Sequence, residues 1–89
     1  MSGLGPAAHA RFHALPEGAF TGRALGRRWR VARVPVAGGR GWKLQAWALD
    51  GPGYISANLY ELAAGPRLKP CEMPAEDVLS FLMDLQPED

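Results

Sequence analysis

The stretch that most constrains the fold is residues 42–61, WKLQAWALDGPGYISANLYE, two alternating runs separated by Asp50-Gly51-Pro52-Gly53. Turn-forming residues between such runs predict a β-hairpin. With Leu49 and Tyr54 as the last pair before the turn, Ala48 falls opposite Ile55, Ala46 opposite Ala57 and Leu44 opposite Leu59. These six residues share one face, and all are apolar. The second face carries Trp47 by Ser56, Gln45 by Asn58 and Lys43 by Tyr60, with Leu49 and Tyr54 nearest the turn. A one-residue slip would mix the two sets, so the separation itself selects the pairing.

Neighbouring segments extend the hairpin into a sheet. Residues 27–36, RRWRVARVPV, are rich in β-branched and aromatic side chains, and Pro35 belongs at an edge or a strand end. If Val36 pairs with Trp42 across the glycine-rich loop 37–41, then Val34 meets Leu44, Ala32 meets Ala46, and Trp29, Val31 and Arg33 fall on the second face. A bulge near Ala32 would instead keep Trp29 and Val31 on the apolar face and turn Arg28, Arg30 and Arg33 outward. Composition does not choose between these two registers. Residues 19–25 read as a short edge strand in which Gly22 permits a bulge, and residues 67–73 as a last strand limited by Pro70.

Residues 74–86 predict a helix. Pro74 suits its first position, Glu76 and Asp77 its first turn, and Pro87 stops continuation. Val78, Phe81, Leu82 and Leu85 recur at i, i+3, i+4, i+7 as a buried stripe that Leu79 and Met83 widen. Burying the four would contribute roughly 1.5–3 kcal/mol each, and the apolar hairpin face, shallow at its three alanines, is their natural seat. The expected fold class is therefore α+β: an antiparallel β-meander of four to five strands with one C-terminal helix, 74–86, packed across one face. Residues 1–18 read as a loosely ordered N-terminal segment with a helix-compatible piece at 7–15, and 19–89 as a single α+β domain.

Eighty-nine residues, 47% hydrophobic and 21% charged, suit one small globular core. No run is long and apolar enough for a membrane span, no secretory signal pattern opens the chain, and the single Cys71 cannot form an internal disulfide. No membrane association and a cytoplasmic location are expected. The excess of Arg over Lys beside abundant Ala, Gly and Pro is a bacterial-like composition that nucleotide content alone can produce. Net charge is +1, but residues 1–45 hold eight basic side chains against one acidic, and residues 46–89 two basic against eight acidic. Mutual neutralisation at the domain surface is the plainer reading of that asymmetry, and a separate basic binding surface the other.

Catalytic signatures are lacking. Cys71 precedes a helix start, where an anion is favoured, yet it has no CxxC partner, no histidine outside the N-terminal segment, and Glu72 beside it. A thiol-dependent enzyme is accordingly the weakest reading, and a buried structural cysteine the stronger one. His9 and His13 stand at i, i+4 but lack a third ligand in HARFH, so they read as solvated residues, with no metal and no cofactor expected. The glycine clusters 38–41 and 51–53 do not match phosphate-binding spacings and read as turns.

Binding is what remains. The candidate binding residues are Trp29, Arg33, Lys43, Gln45, Trp47, Asn58 and Tyr60. Three fates are open to their face, in decreasing weight: cover by the chain's own Phe12, Leu15 and Phe20; a protein partner or self-association, for which Trp, Tyr and Arg are suited; or single-stranded nucleic acid, with bases on the rings and phosphates on Arg and Lys. The expectation is a small binding domain, most readily for a protein partner or a homodimer, with single-stranded nucleic acid as the alternative.

Overall fold

The computed structural model describes residues 2–88; Met1 and Asp89 lie outside the described residues. The chain runs β1 (Ser2–Gly3), α1 (Pro6–Ala14), β2 (Gly18–Ala24), β3 (Arg27–Val36), a 3-10 turn (Ala37–Gly39), β4 (Gly41–Ala48), β5 (Tyr54–Leu62), β6 (Gly65–Pro70), α2 (Ala75–Asp84) and β7 (Gln86–Glu88). It is an α+β fold with one antiparallel sheet in the order β1-β6-β5-β4-β3-β2-β7. Strands β2 to β6 are the predicted meander. The expected four to five strands become seven because the short β1 and β7 add to the two edges, and a second helix, α1, joins the expected one.

The central hairpin keeps its predicted faces in a different register. Trp47 pairs with Tyr54, Ala46 with Ile55, Leu44 with Ala57 and Trp42 with Leu59, two residues from the expected pairing. An even slip preserves which side chains share a face. The loop accommodates it: the Leu49 amide donates to Arg28 O instead of pairing with Tyr54, the Ala48 amide donates across the loop to Gly53 O, and Arg27 donates to Asp50 Oδ1 and to Pro52 O.

The β3 register departs by one residue, and there the faces exchange. Trp29 pairs with Ala48, Val31 with Ala46 and Arg33 with Leu44, in a continuous ladder without the bulge considered near Ala32. The connection 37–40 closes on a Val36–Gly41 pair, one residue shorter than expected, with the Arg40 amide bonded to Ala37 O. Trp29 and Arg33 therefore turn inward, 3% and 6% exposed. Strand β2 is likewise unbulged. Gly22 serves close approach instead: a Cβ there would stand 2.8 Å from Leu85 Cδ1.

Both helices lie on the inner face. Val78, Phe81, Leu82 and Leu85 are buried as their spacing predicts, and Phe81 meets Trp29 edge to face at 5.0 Å. Met83, expected to widen the stripe, is 44% exposed, and α2 ends at Asp84 because Gln86–Glu88 pair with β2. Residues expected to be loosely ordered carry β1 and α1. Phe12 and Leu15 are buried on this same inner face, where Phe12 meets Trp42 edge to face at 6.1 Å. They pack beside Phe20 in the core and do not cover the outer face.

Two arginines close the helix ends. Arg11 of α1 donates to Leu82 O at 3.2 Å and to Leu85 O at 2.6 Å, at the end of α2. Arg33 of β3 donates to Leu15 O at 2.7 Å, where α1 ends, and its guanidinium lies 4.3 Å above the Trp42 ring. Desolvation lowers the Arg33 pKa from its ordinary value, against the opposing charge of Glu17, although arginine stays protonated in proteins.

Phe81→Ala should lower stability by about 3–5 kcal/mol, since the side chain is fully buried against Trp29. Met83→Ala should change it by less than about 0.5 kcal/mol. Urea denaturation measures both, and equal losses for the two variants would contradict this packing.

Candidate functional site

With both helices on one side, the outer face of the sheet lies open. Cross-strand register arranges its side chains in rows. One row runs Thr21, Arg30, Trp47, Tyr54; another Val34, Lys43, Asn58, Lys69; a third Val36, Gly41, Tyr60, Arg67. Arg23 and Arg28 pair with each other at the β2–β3 end.

Two rings dominate the exposed surface. Trp47 and Tyr54 are 42% and 45% exposed, with ring centroids 5.8 Å apart and planes inclined at 45°. Gln45 Nε2 donates to the Tyr54 hydroxyl at 2.9 Å. The Ser56 hydroxyl, then the Gln45 amide, hold the Tyr54 phenol below its ordinary pKa; partial burial opposes this and the Lys43 charge assists it. Ser56, paired with Gln45 in the adjoining row, is itself buried. Tyr60 is six residues along β5 from Tyr54, roughly 20 Å at the rise of a strand. It lies over Gly41, where a Cβ would come within 3.0 Å of Tyr60 Cδ1, and Asn58 Nδ2 donates to its hydroxyl at 3.3 Å. Gly41 is thus the gap that lets the Tyr60 ring lie against the sheet.

Cations flank the rings on both sides. Arg23, Arg28 and Arg30 are exposed on β2 and β3, Lys43 lies four residues along β4 from Trp47, and Arg67 and Lys69 lie on β6. Arg28 is paired with Glu88 at 2.9 Å. Among the described residues, no carboxylate comes within ion-pair distance of Arg23, Arg30, Lys43, Arg67 or Lys69. The exposed acids Glu76, Asp77 and Asp84 lie on α2, across the sheet. The ion pairs among the described residues all join the basic first half of the chain to the acidic second half, Arg27 with Asp50, Arg28 with Glu88, and His9 and His13 with Glu61, and the five outward cations stand outside that pairing.

Of the residues expected from sequence, Lys43, Gln45, Trp47, Asn58 and Tyr60 share this face, and Trp29 and Arg33 leave it for the core. Tyr54, Arg23, Arg30, Arg67 and Lys69 join it. The parity of the Leu25–Gly26 turn was the available signal for the arginines: a two-residue connection pairs Ala24 with Arg27 and sends Arg23, Arg28 and Arg30 to the face opposite Trp29. Cys71 follows β6, half-buried, with its amide bonded to Ser56 O, and both histidines are engaged by Glu61. Comparisons with protein-family models, curated proteins and solved structures return no match.

Trp47→Ala should leave stability within about 0.5 kcal/mol of the parent, as expected for a solvent-facing ring. Equilibrium denaturation measures this, and a loss of several kcal/mol would mean that the outer face is covered.

Proposed function

We propose that the protein binds single-stranded nucleic acid on the outer face of its sheet. The observation that carries this reading is the coincidence, on one uncovered surface, of the exposed Trp47–Tyr54 pair with five cations lacking a carboxylate partner among the described residues. Aromatic faces stack unpaired bases at about 1–3 kcal/mol per base, and Arg and Lys hold the backbone. Gln45 and Asn58, half-buried between the rings, offer amide donors and acceptors to base edges.

Charge argues against the same face serving self-association. A two-fold dimer stacking it on itself would bring Arg23, Arg30, Lys43, Arg67 and Lys69 of both copies together, and like charges in contact disfavour an interface. A strongly acidic protein partner would answer the cations and bury the ring pair at the contact, and it predicts no tryptophan change with oligonucleotides.

Titration with short mixed-sequence oligonucleotides at low salt should change tryptophan fluorescence, and affinity should fall steeply as salt rises. Neutralising about four phosphates gives a slope near −3 in log K against log salt. Trp47→Ala should weaken binding by about 1–3 kcal/mol, and Lys43→Gln should reduce the salt slope. Absence of any fluorescence or anisotropy change at low salt, or unchanged binding by the Trp47 variant, would overturn the reading; equal affinity for duplex would remove its single-strand selectivity.

A further inference from the structure

A second cluster lies on the inner side of the sheet, where α1 meets β5. His9 and His13 stand one helical turn apart, and alternation along β5 turns Glu61 inward beneath them while its neighbour Tyr60 faces out. His9 Nε2 lies 2.9 Å and 3.1 Å from the two Glu61 carboxylate oxygens, and His13 Nε2 lies 2.6 Å from Oε1. The ligating atoms of the three residues all fall within 4.8 Å of one another. Both imidazoles are held in place by packing: the two rings cross edge to face at 4.7 Å, and His13 meets Phe12 at 5.4 Å and Trp42 at 5.8 Å. The side chains keep about a third of their surface, at 34%, 37% and 33% exposed.

We propose that His9, His13 and Glu61 bind a divalent transition-metal ion of the Zn²⁺ class. Two imidazole nitrogens and one carboxylate oxygen are a donor set that suits Zn²⁺ and its borderline neighbours, and a fourth position remains open to solvent. Mg²⁺ and Ca²⁺ demand six or more oxygens, which this cluster does not offer. Ligands at 2.0–2.1 Å from a tetrahedral ion sit about 3.3 Å apart. The histidine–carboxylate separations of 2.6–3.1 Å are shorter than this, and all the ligating atoms lie within 4.8 Å of one another, so the three side chains would have to open slightly around the ion. A carboxylate of ordinary pKa is already ionised, the form that ligates, at neutral pH.

The ion would join groups 52 and 48 residues apart in the chain. It would fasten α1 to β5 and, through the Arg11 bonds, the end of α2 to both. Because a preformed site belongs to the folded chain alone, binding raises stability with the logarithm of the free-ion concentration once that exceeds Kd.

The test uses the full chain without an affinity tag, stripped by chelator and titrated with Co²⁺ as a spectroscopic probe, then with Zn²⁺. One equivalent of Co²⁺ should produce visible absorption bands, Zn²⁺ should abolish them, and the urea midpoint should rise with Zn²⁺. Glu61→Gln, which preserves size, and His13→Ala should each weaken Co²⁺ binding roughly tenfold or more, with circular dichroism confirming that the variants fold. Absence of saturable absorption at one equivalent would overturn the proposal. So would parent-like affinity in Glu61→Gln, the behaviour of an isolated histidine pair on a helix.

Discussion

The architecture depends on two arginines that complete the helix ends. A helix leaves its last carbonyls without partners inside the helix, and α2 carries no basic residue in its own last turn. Arg11 reaches from α1 to supply donors to Leu82 O and Leu85 O, and Arg33 reaches from β3 to the chain leaving α1 at Leu15 and Pro16. Each bond places a cation against the negative pole of a helix. Burying the Arg33 guanidinium is costly without a carboxylate in contact, and its Nη1 has no hydrogen-bond partner among the described residues. The Trp42 and Phe12 rings at 4.3 and 5.4 Å offset part of that cost through the attraction of a cation to a π face. Helix α1 is thereby held to both the sheet and α2, and both helices are committed to one face.

That commitment determines the other face. An antiparallel sheet can leave one side to water, and the usual outcome is a simple apolar-in, polar-out alternation. Here the outward positions are cationic and aromatic, whereas the acids on α2 are on the far side of the sheet. Two of the basic residues in the first half of the chain, Arg11 and Arg33, are spent on helix ends; Arg27 is bound to the loop at Asp50, and Arg28 to Glu88. Arg40 stands in the 37–40 connection, and Arg23, Arg30 and Lys43, with Arg67 and Lys69 from β6, face outward with no carboxylate among the described residues within ion-pair distance. Charge asymmetry along the chain has become charge asymmetry across the sheet.

How far this was legible in the sequence is a matter of parity. The central hairpin was misregistered by two residues, yet every side chain kept its face, because period-two alternation is blind to even slips. The β3 ladder was misregistered by one, and that odd slip put Trp29 and Arg33 on the wrong side. The turn at 37–40 carried the decisive residue count, and glycine-rich composition did not reveal where pairing resumes. The stripe of α2 was readable because four apolar residues repeat within one segment. Helix α1 has no comparable stripe; its anchors, Arg33 and Glu61, are distant in sequence. Strands β1 and β7, two and three residues long, are too short to show any period and exist because neighbouring edges offer them hydrogen bonds.

The two proposed sites share strand β5 and are separated by its alternation. Glu61 turns inward to the histidines, whereas Tyr60 and Asn58 turn outward to the open face. Neighbouring residues on one strand thus serve opposite surfaces with no side chain in common. A cation held at Glu61 would add its charge on the helix side, beside an existing carboxylate, and would leave the arrangement of outward cations as the sheet alone sets it. The outward rows are fixed by main-chain hydrogen bonds from β2 to β6, whereas α1 belongs to the inner layer, where the sheet presents Arg33, Trp42 and Glu61 to it.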